Sequence, residues 1–200
     1  MKGKLLLLVF LLAFAVPSFG GTISLDFGTG NAGAGGVLTV LGGGQASGSN
    51  IPIGTLSVAG APVSGIFPVT GSCANSSGCL AFDTIASTLS IIGTVDGVTG
   101  TLLSGEIDSF TLNDYVVVAT LYATGLDTKD AELLDALGIT YGHPFTYYGF
   151  TLAANTTGGG FVPTSTDVLN TTATPEPVSM LLFGTFFSLA GGLLAKKKRA

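Results

Sequence analysis

The chain has 200 residues, with twelve acids against seven strong bases, one histidine, two cysteines and no tryptophan. Six of the seven bases lie at the two ends, so residues 21–174 carry eleven acids against Lys129 alone, a net charge of −10. That excludes a nucleic-acid binder, which needs clustered Lys and Arg against phosphate, while 154 residues suffice for one domain with a real core.

The N-terminus opens with Lys2 and Lys4, then an unbroken apolar run from Leu5 to Val16, then Pro17-Ser18-Phe19-Gly20. A positive region, a short hydrophobic core and small residues at Ser18 and Gly20 predict a secretory signal peptide over 1–20, cut after Gly20. The competing reading, an uncleaved anchor, is disfavoured because twelve residues are too few to cross a bilayer.

The acidic region that follows reads as β-structure. Ile23, Leu25 and Phe27 alternate with Thr22, Ser24 and Asp26, the pattern of a half-buried strand. Gly28-Thr-Gly30-Asn-Ala-Gly33 is formally G-x-G-x-x-G, but a dinucleotide site needs a helix next and an acid about twenty residues on. Here Val37–Leu41 reads as another strand, and Ser49 and Asn50 occupy the acid's place, so the motif is rejected. Further strands are predicted at 55–58, 88–95 and 101–103. Cys73 and Cys79 bracket Ala-Asn-Ser-Ser-Gly, a composition that turns easily, and an exported chain meets oxidising conditions. We expect a small-loop disulfide; further ligands for a metal are missing nearby, and redox pairs usually have two intervening residues.

Between Ile107 and Phe110 the apolar phase slips by one residue, which predicts a bulge near Asp108-Ser109. Tyr115–Ala123 is β-branched and aromatic on both faces and predicts a central strand. Residues 126–138 predict a short helix, capped by Asp127 or Thr128, with Leu133, Leu134 and Leu137 on one face and Gly138 at its end. Phe145–Ala153 predicts a last strand. Residues 155–174, rich in Asn, Thr and Gly, read as a linker. Many short strands, one short helix and Gly-rich turns give an all-β fold, a β-sandwich first and a β-solenoid second.

The tail carries its own logic. Val178–Ala195 is eighteen residues without a charge, about 27 Å as a helix and just enough to span a membrane. Lys196, Lys197, Lys198 and Arg199 follow, and retained positive charge puts the C-terminus in the cytoplasm and the acidic domain outside. Pro175-Glu176-Pro177 stops the helix from extending outward and holds the backbone extended. A Pro-Glu-Pro triplet, an apolar helix and a basic terminus, in that order over 175–200, resemble the PEP-CTERM sorting signal of bacterial exported proteins. The resemblance implies recognition of Pro175, Glu176 and Pro177 by an exosortase-like membrane enzyme, in bacteria that make exopolysaccharide. Val178 departs from the family's commoner small polar residue and leaves the cut position open. A sorting signal says nothing about the passenger, because it is attached to many unrelated domains.

The passenger offers little chemistry. His143 is the single histidine and precedes Pro144 in a turn-like context; no G-x-S-x-G elbow accompanies it. Glu106 and Asp108 alternate on one strand face, and Asp127, Asp130 and Glu132 cluster in the helix segment, without EF-hand spacing. We therefore expect no catalytic residues, no metal and no cofactor. The expected role is a structural envelope or matrix protein: exported, processed by signal peptidase and an exosortase-like enzyme, held in the inner membrane at least transiently, then associated with exopolysaccharide or biofilm. The alternatives are a glycan- or calcium-dependent adhesin, with Tyr141, Phe145, Tyr147 and Tyr148 as sugar platforms, and a secreted hydrolase.

Overall fold

A computed structural model describes residues 22–60, 64–139, 145–157 and 160–172, with Thr146 and Tyr147 described in backbone only. They belong to one unit, Thr22–Ala173. Its strands are β1 (Ser24–Gly28), β2 (Val37–Leu41), β3 (Gln45–Ile53), β4 (Thr55–Ala59), β5 (Gly65–Pro68), β6 (Gly78–Asp83), β7 (Thr88–Val95), β8 (Val98–Glu106), β9 (Ser109–Asp114), β10 (Val118–Gly125), β11 (Asp127–Lys129), β12 (Phe145–Thr157) and β13 (Gly160–Thr172). One α-helix, α1 (Ala131–Ala136), lies between β11 and β12. The described residues are all-β with one short helix, as composition and alternation predict.

Thirteen strands join in a single hydrogen-bonded sheet. Every pairing between them is antiparallel, unlike the parallel coils of a solenoid. One arm runs β9-β10-β12-β13-β1-β4-β5 and the other β2-β3-β6-β7-β8-β11; they meet where Phe161 on β13 pairs with Leu38 on β2. Phe82 on β6 and Phe150 on β12 pack edge to face, ring centroids 5.2 Å apart. Through their hydrogen-bonded neighbours these strands are four spacings apart, about 19 Å in a flat sheet. The sheet therefore folds back on itself, and the core fills the space between the arms: Leu25, Phe27 and Leu56 from one, Leu80, Ile91 and Leu102 from the other. Gly48 lacks a side chain because the ring of Phe82 occupies the place a Cβ would take, and the carbonyl of Glu106 does the same to Gly125.

The bulge falls where the phase slip predicts it. Ser109 pairs with Thr124, yet the Asp108 N–H also donates to Thr124 O at 2.9 Å, so two consecutive residues oppose one.

Four expectations need correction. Tyr115–Val117 is not strand but the exposed turn between β9 and β10, with Val116 90 % exposed; β10 begins at Val118 and lies next to the β9 edge, not at the centre. The helix is shorter than predicted and its cap is Asp130, whose carboxylate accepts from Leu133 N at 2.9 Å. Residues 127–129 pair with β8 instead, because Asp127 and Lys129 share an inward face only as a strand. At the helix end the prediction holds: Gly138 is left-handed (φ +66°), its N–H donates to Asp135 O, and that of Ile139 donates to Leu134 O, a Schellman ending. The fourth correction is the largest. Residues 155–157 finish β12 and residues 160–172 form β13, so they are no linker; β13 hydrogen-bonds to β1 on one side and β12 on the other. Its inward residues Thr166, Val168 and Asn170 are buried, while Ser165, Asp167 and Leu169 face out. Polar residues on both faces removed the apolar alternation by which a strand is recognised.

β3 escaped the prediction for a similar reason. β3 contains Gly48, Asn50 and Pro52, residues that normally punctuate a strand, and Pro52 nevertheless pairs with Cys79.

Candidate functional site

Most of the predicted site residues lie outside the described residues: Ser18 and Gly20, the triplet Pro175, Glu176 and Pro177, the basic cluster Lys196, Lys197, Lys198 and Arg199, and the span 178–195. Among the described residues no helix is long and apolar enough to cross a membrane. His143, Tyr141 and the side chain of Tyr147 also lie outside.

Cys73 and Cys79 are at disulfide distance, with sulfurs 2.03 Å and Cα atoms 5.4 Å apart. The loop they close packs against the turn that the glycine motif makes. After β1 the chain takes one 3₁₀ turn, Gly30–Ala32, and then β2; no α-helix follows to hold a pyrophosphate. Asn75, left-handed at φ +56°, donates its side-chain amide to Ala32 O. A shallow depression of about 380 Å³ lies beside this contact, lined in part by Asn31, Thr55, Thr70, Asn75 and Ser77. It gathers hydroxyls and amides but no titratable group.

The acids predicted as candidates separate. Glu106 and Asp108 are exposed, and Glu132 lies exposed in the first turn of α1. Asp130 is spent on its cap. Asp127 alone enters the interior. Its carboxylate accepts from Lys129 Nζ at 2.8 and 3.0 Å and from Asn170 Nδ2 at 3.0 Å. The Lys129 and Asp127 side chains are 1 % and 0 % exposed. The ammonium also lies 4.2 Å from the ring centre of Phe145. Burial pushes Lys129 down from its ordinary value of 10.5, and the Asp127 carboxylate opposes that push. Tyr148 stands beside them, 1 % exposed, its hydroxyl donating to Glu106 O at 3.0 Å. Burial, and then the charges of Asp127 and Asp108, hold its phenol above the ordinary range. Of the four proposed sugar platforms, Tyr148 is thus committed to the interior, and Phe145 is partly buried beside the ammonium. This network ties β11, β12 and β13 together. Lys129 and the Asn170 amide both spend donors on the Asp127 carboxylate, while Asn170 Oδ1 stays buried without a hydrogen-bond partner; the group acts as a structural pin.

A second polar group was not anticipated. Asp26 on β1 and Asp167 on β13 lie diagonally across the outer face, since Asp26 pairs with Leu169 and Gly28 with Asp167. Burial pushes the Asp26 carboxyl up to about 7, helped by a hydrogen bond with Asp167 and by that residue's charge. Oδ1 of Asp26 is buried without a hydrogen-bond partner. Two carboxyls in hydrogen-bond contact leave no room for a sugar or water between them, whereas glycosidases hold theirs about 5 Å or more apart across a cleft. The only sequence signal was two acids at outward positions of strands that turn out to be neighbours; with β13 read as a linker, it was invisible.

Among the described residues no group of three His, Cys, Asp or Glu side chains is placed to hold a metal ion. No family model, curated protein or solved structure matches this chain, so its function rests on its own residues.

Proposed function

We propose that this chain is an exported envelope or matrix protein with a non-enzymatic β-sandwich body, sorted through a PEP-CTERM tail by an exosortase-like enzyme. The observation that carries the reading is the ordered tail: Pro175-Glu176-Pro177, eighteen uncharged residues, then four cations. The predicted signal peptide at the other end gives the same orientation independently.

The body's charge is consistent with this role. Lys129, its one strong base, is buried against Asp127, so among the described residues every exposed formal charge is negative. Such a surface stays soluble outside the cell and repels polyanions, including nucleic acid. The buried ion pair of Lys129 with Asp127 is held by internal partners, which favours a structural role over a catalytic one.

The test is to change Pro175, Glu176 and Pro177 together to alanine, fractionate the cells and measure the mass of the C-terminus. The expected result is retention of the unprocessed chain in the inner membrane, with the unaltered protein trimmed and released. Equal processing of both would remove the sorting claim.

A further inference from the structure

We propose that the open edge of β9 is a self-association surface, through which a second copy of this chain adds its own β9 in antiparallel pairing.

Among the described residues the sheet has three free edges: β5, β11 and β9. Exposed edges invite strand addition, and folded proteins blunt them with short length, proline, charge or a covering element. β5 is four residues long and closes on Pro68. β11 is three residues long, carries the buried ion pair and leads directly into α1. β9 is six residues long, Ser-Phe-Thr-Leu-Asn-Asp, without proline or lysine. Its bulge and Asp114 sit at its two ends and leave the middle unguarded.

The edge is ready to pair. Tyr115 N–H donates to Val118 O, and the register steps back through Asn113 with Thr120, Thr111 with Tyr122 and Ser109 with Thr124. Hydrogen-bonded and non-bonded pairs alternate in antiparallel strands. The backbone groups of Phe110, Leu112 and Asp114 therefore face away from β10, and among the described residues no other strand pairs with β9. The side chains of Phe110 and Leu112 are only partly buried, packed against the rim of the core. Just beyond them Tyr115, Val116 and Val117 are 65, 90 and 68 % exposed.

A two-fold axis at Leu112 matches these features to themselves. Leu112 of one copy then faces Leu112 of the other, and Phe110 faces Asp114. All outward donors and acceptors of the three residues find partners, the half-covered apolar row continues across the joint, and no acid lies directly opposite another. The chain's own tail is a poor occupant. It leaves β13 at Thr172, three strands from β9, and Pro175 and Pro177 lack the N–H groups that strand pairing requires. Both copies carry excess negative charge, so their association strengthens as salt rises.

The experiment uses the full chain in detergent micelles at neutral pH. Leu112→Cys places two thiols across the axis at a hydrogen-bonded pair, about 5.5 Å between Cα atoms, which a disulfide spans. Mild oxidation is expected to give a covalent dimer, and Tyr122→Cys, more exposed but one strand inside, is expected to give none. Leu112→Pro removes only the outward N–H and leaves the β9–β10 bonds intact. It is expected to weaken dimerisation in sedimentation velocity at least tenfold, with an unchanged far-UV circular dichroism spectrum. A monomeric parent chain at about 100 µM, equal cross-linking at 112 and 122, or association unaffected by proline would each overturn the proposal. A proline variant with an altered spectrum hands the decision to the cross-linking pair.

Discussion

Asp26 and Asp127 are the same residue in opposite situations, and one strand, β13, serves both. Its inward residue Asn170 donates to Asp127, and its outward residue Asp167 meets Asp26. Asp127 is sealed in the interior, yet a cation and an amide satisfy it. Asp26 is less buried, but its neighbour is another carboxyl, and its own acidity is displaced to about 7. Burial is the leading cause of the Asp26 shift, and the partner decides whether burial is offset, as at Asp127, or reinforced, as at Asp26. The inner group holds three strands together in its charged form; the outer one is comfortable only when it keeps a proton.

The comparison breaks most visibly at Lys129. Lys129→Ala leaves Asp127 charged, buried and short of its main partner, and a loss of about 3–5 kcal/mol is expected. Urea unfolding followed by far-UV circular dichroism measures it, since the chain has no tryptophan to report. A loss below about 1 kcal/mol would mean that the pair behaves like a surface ion pair.

A smaller effect is expected when both charges go together. Asp127→Leu with Lys129→Met removes the buried charges and keeps the volume, so only the Asn170 amide is stranded. The double variant should be more stable than Lys129→Ala alone by about 1–2 kcal/mol. If the double variant is the less stable of the two, the pair contributes attraction beyond its desolvation, and the network is a stabilising element in its own right.

This inner group also marks how far the sequence could be read. The apolar alternation of β1, the bounds of β2 and β7, the bulge at Asp108-Ser109, the Gly138 helix ending and the cysteine pairing were all legible, because each depends on residues close in the chain. Lys129 was visible as the lone base of the body, and its partner Asp127 is two positions away, but the Asn170 amide that completes the carboxylate's shell is forty-three positions from Asp127. β13 was misread because a strand that carries Thr166 and Asn170 inward looks polar on both faces. Once β13 was taken for a linker, neither the Asp127–Asn170 contact nor the Asp26–Asp167 pair could be inferred. Tyr115–Val117 misled in the other direction: β-branched and aromatic residues read as strand, while the backbone turns there and leaves them in solvent.

The smallest expected effect belongs to the outer pair and sharpens the contrast by its sign. In the unfolded chain Asp26 ionises near 3.9, whereas in the folded protein it does so at about 7. Between these values the unfolded state binds fewer protons, so stability is full below about pH 4 and declines as pH rises through 7. Because Asp26 is partly exposed, solvent screening reduces the loss to about 1 kcal/mol, a fall of about 3 °C in Tm for a domain of this size. Asp26→Asn should flatten that slope. Asp167→Asn should only lessen it, since burial, the leading cause, remains. Thermal melts of the three proteins between pH 4.5 and 7.5 distinguish the cases. If Asp167→Asn flattens the slope as fully as Asp26→Asn, carboxyl repulsion outweighs burial at this site, and the difference between the two aspartates is wholly one of partners.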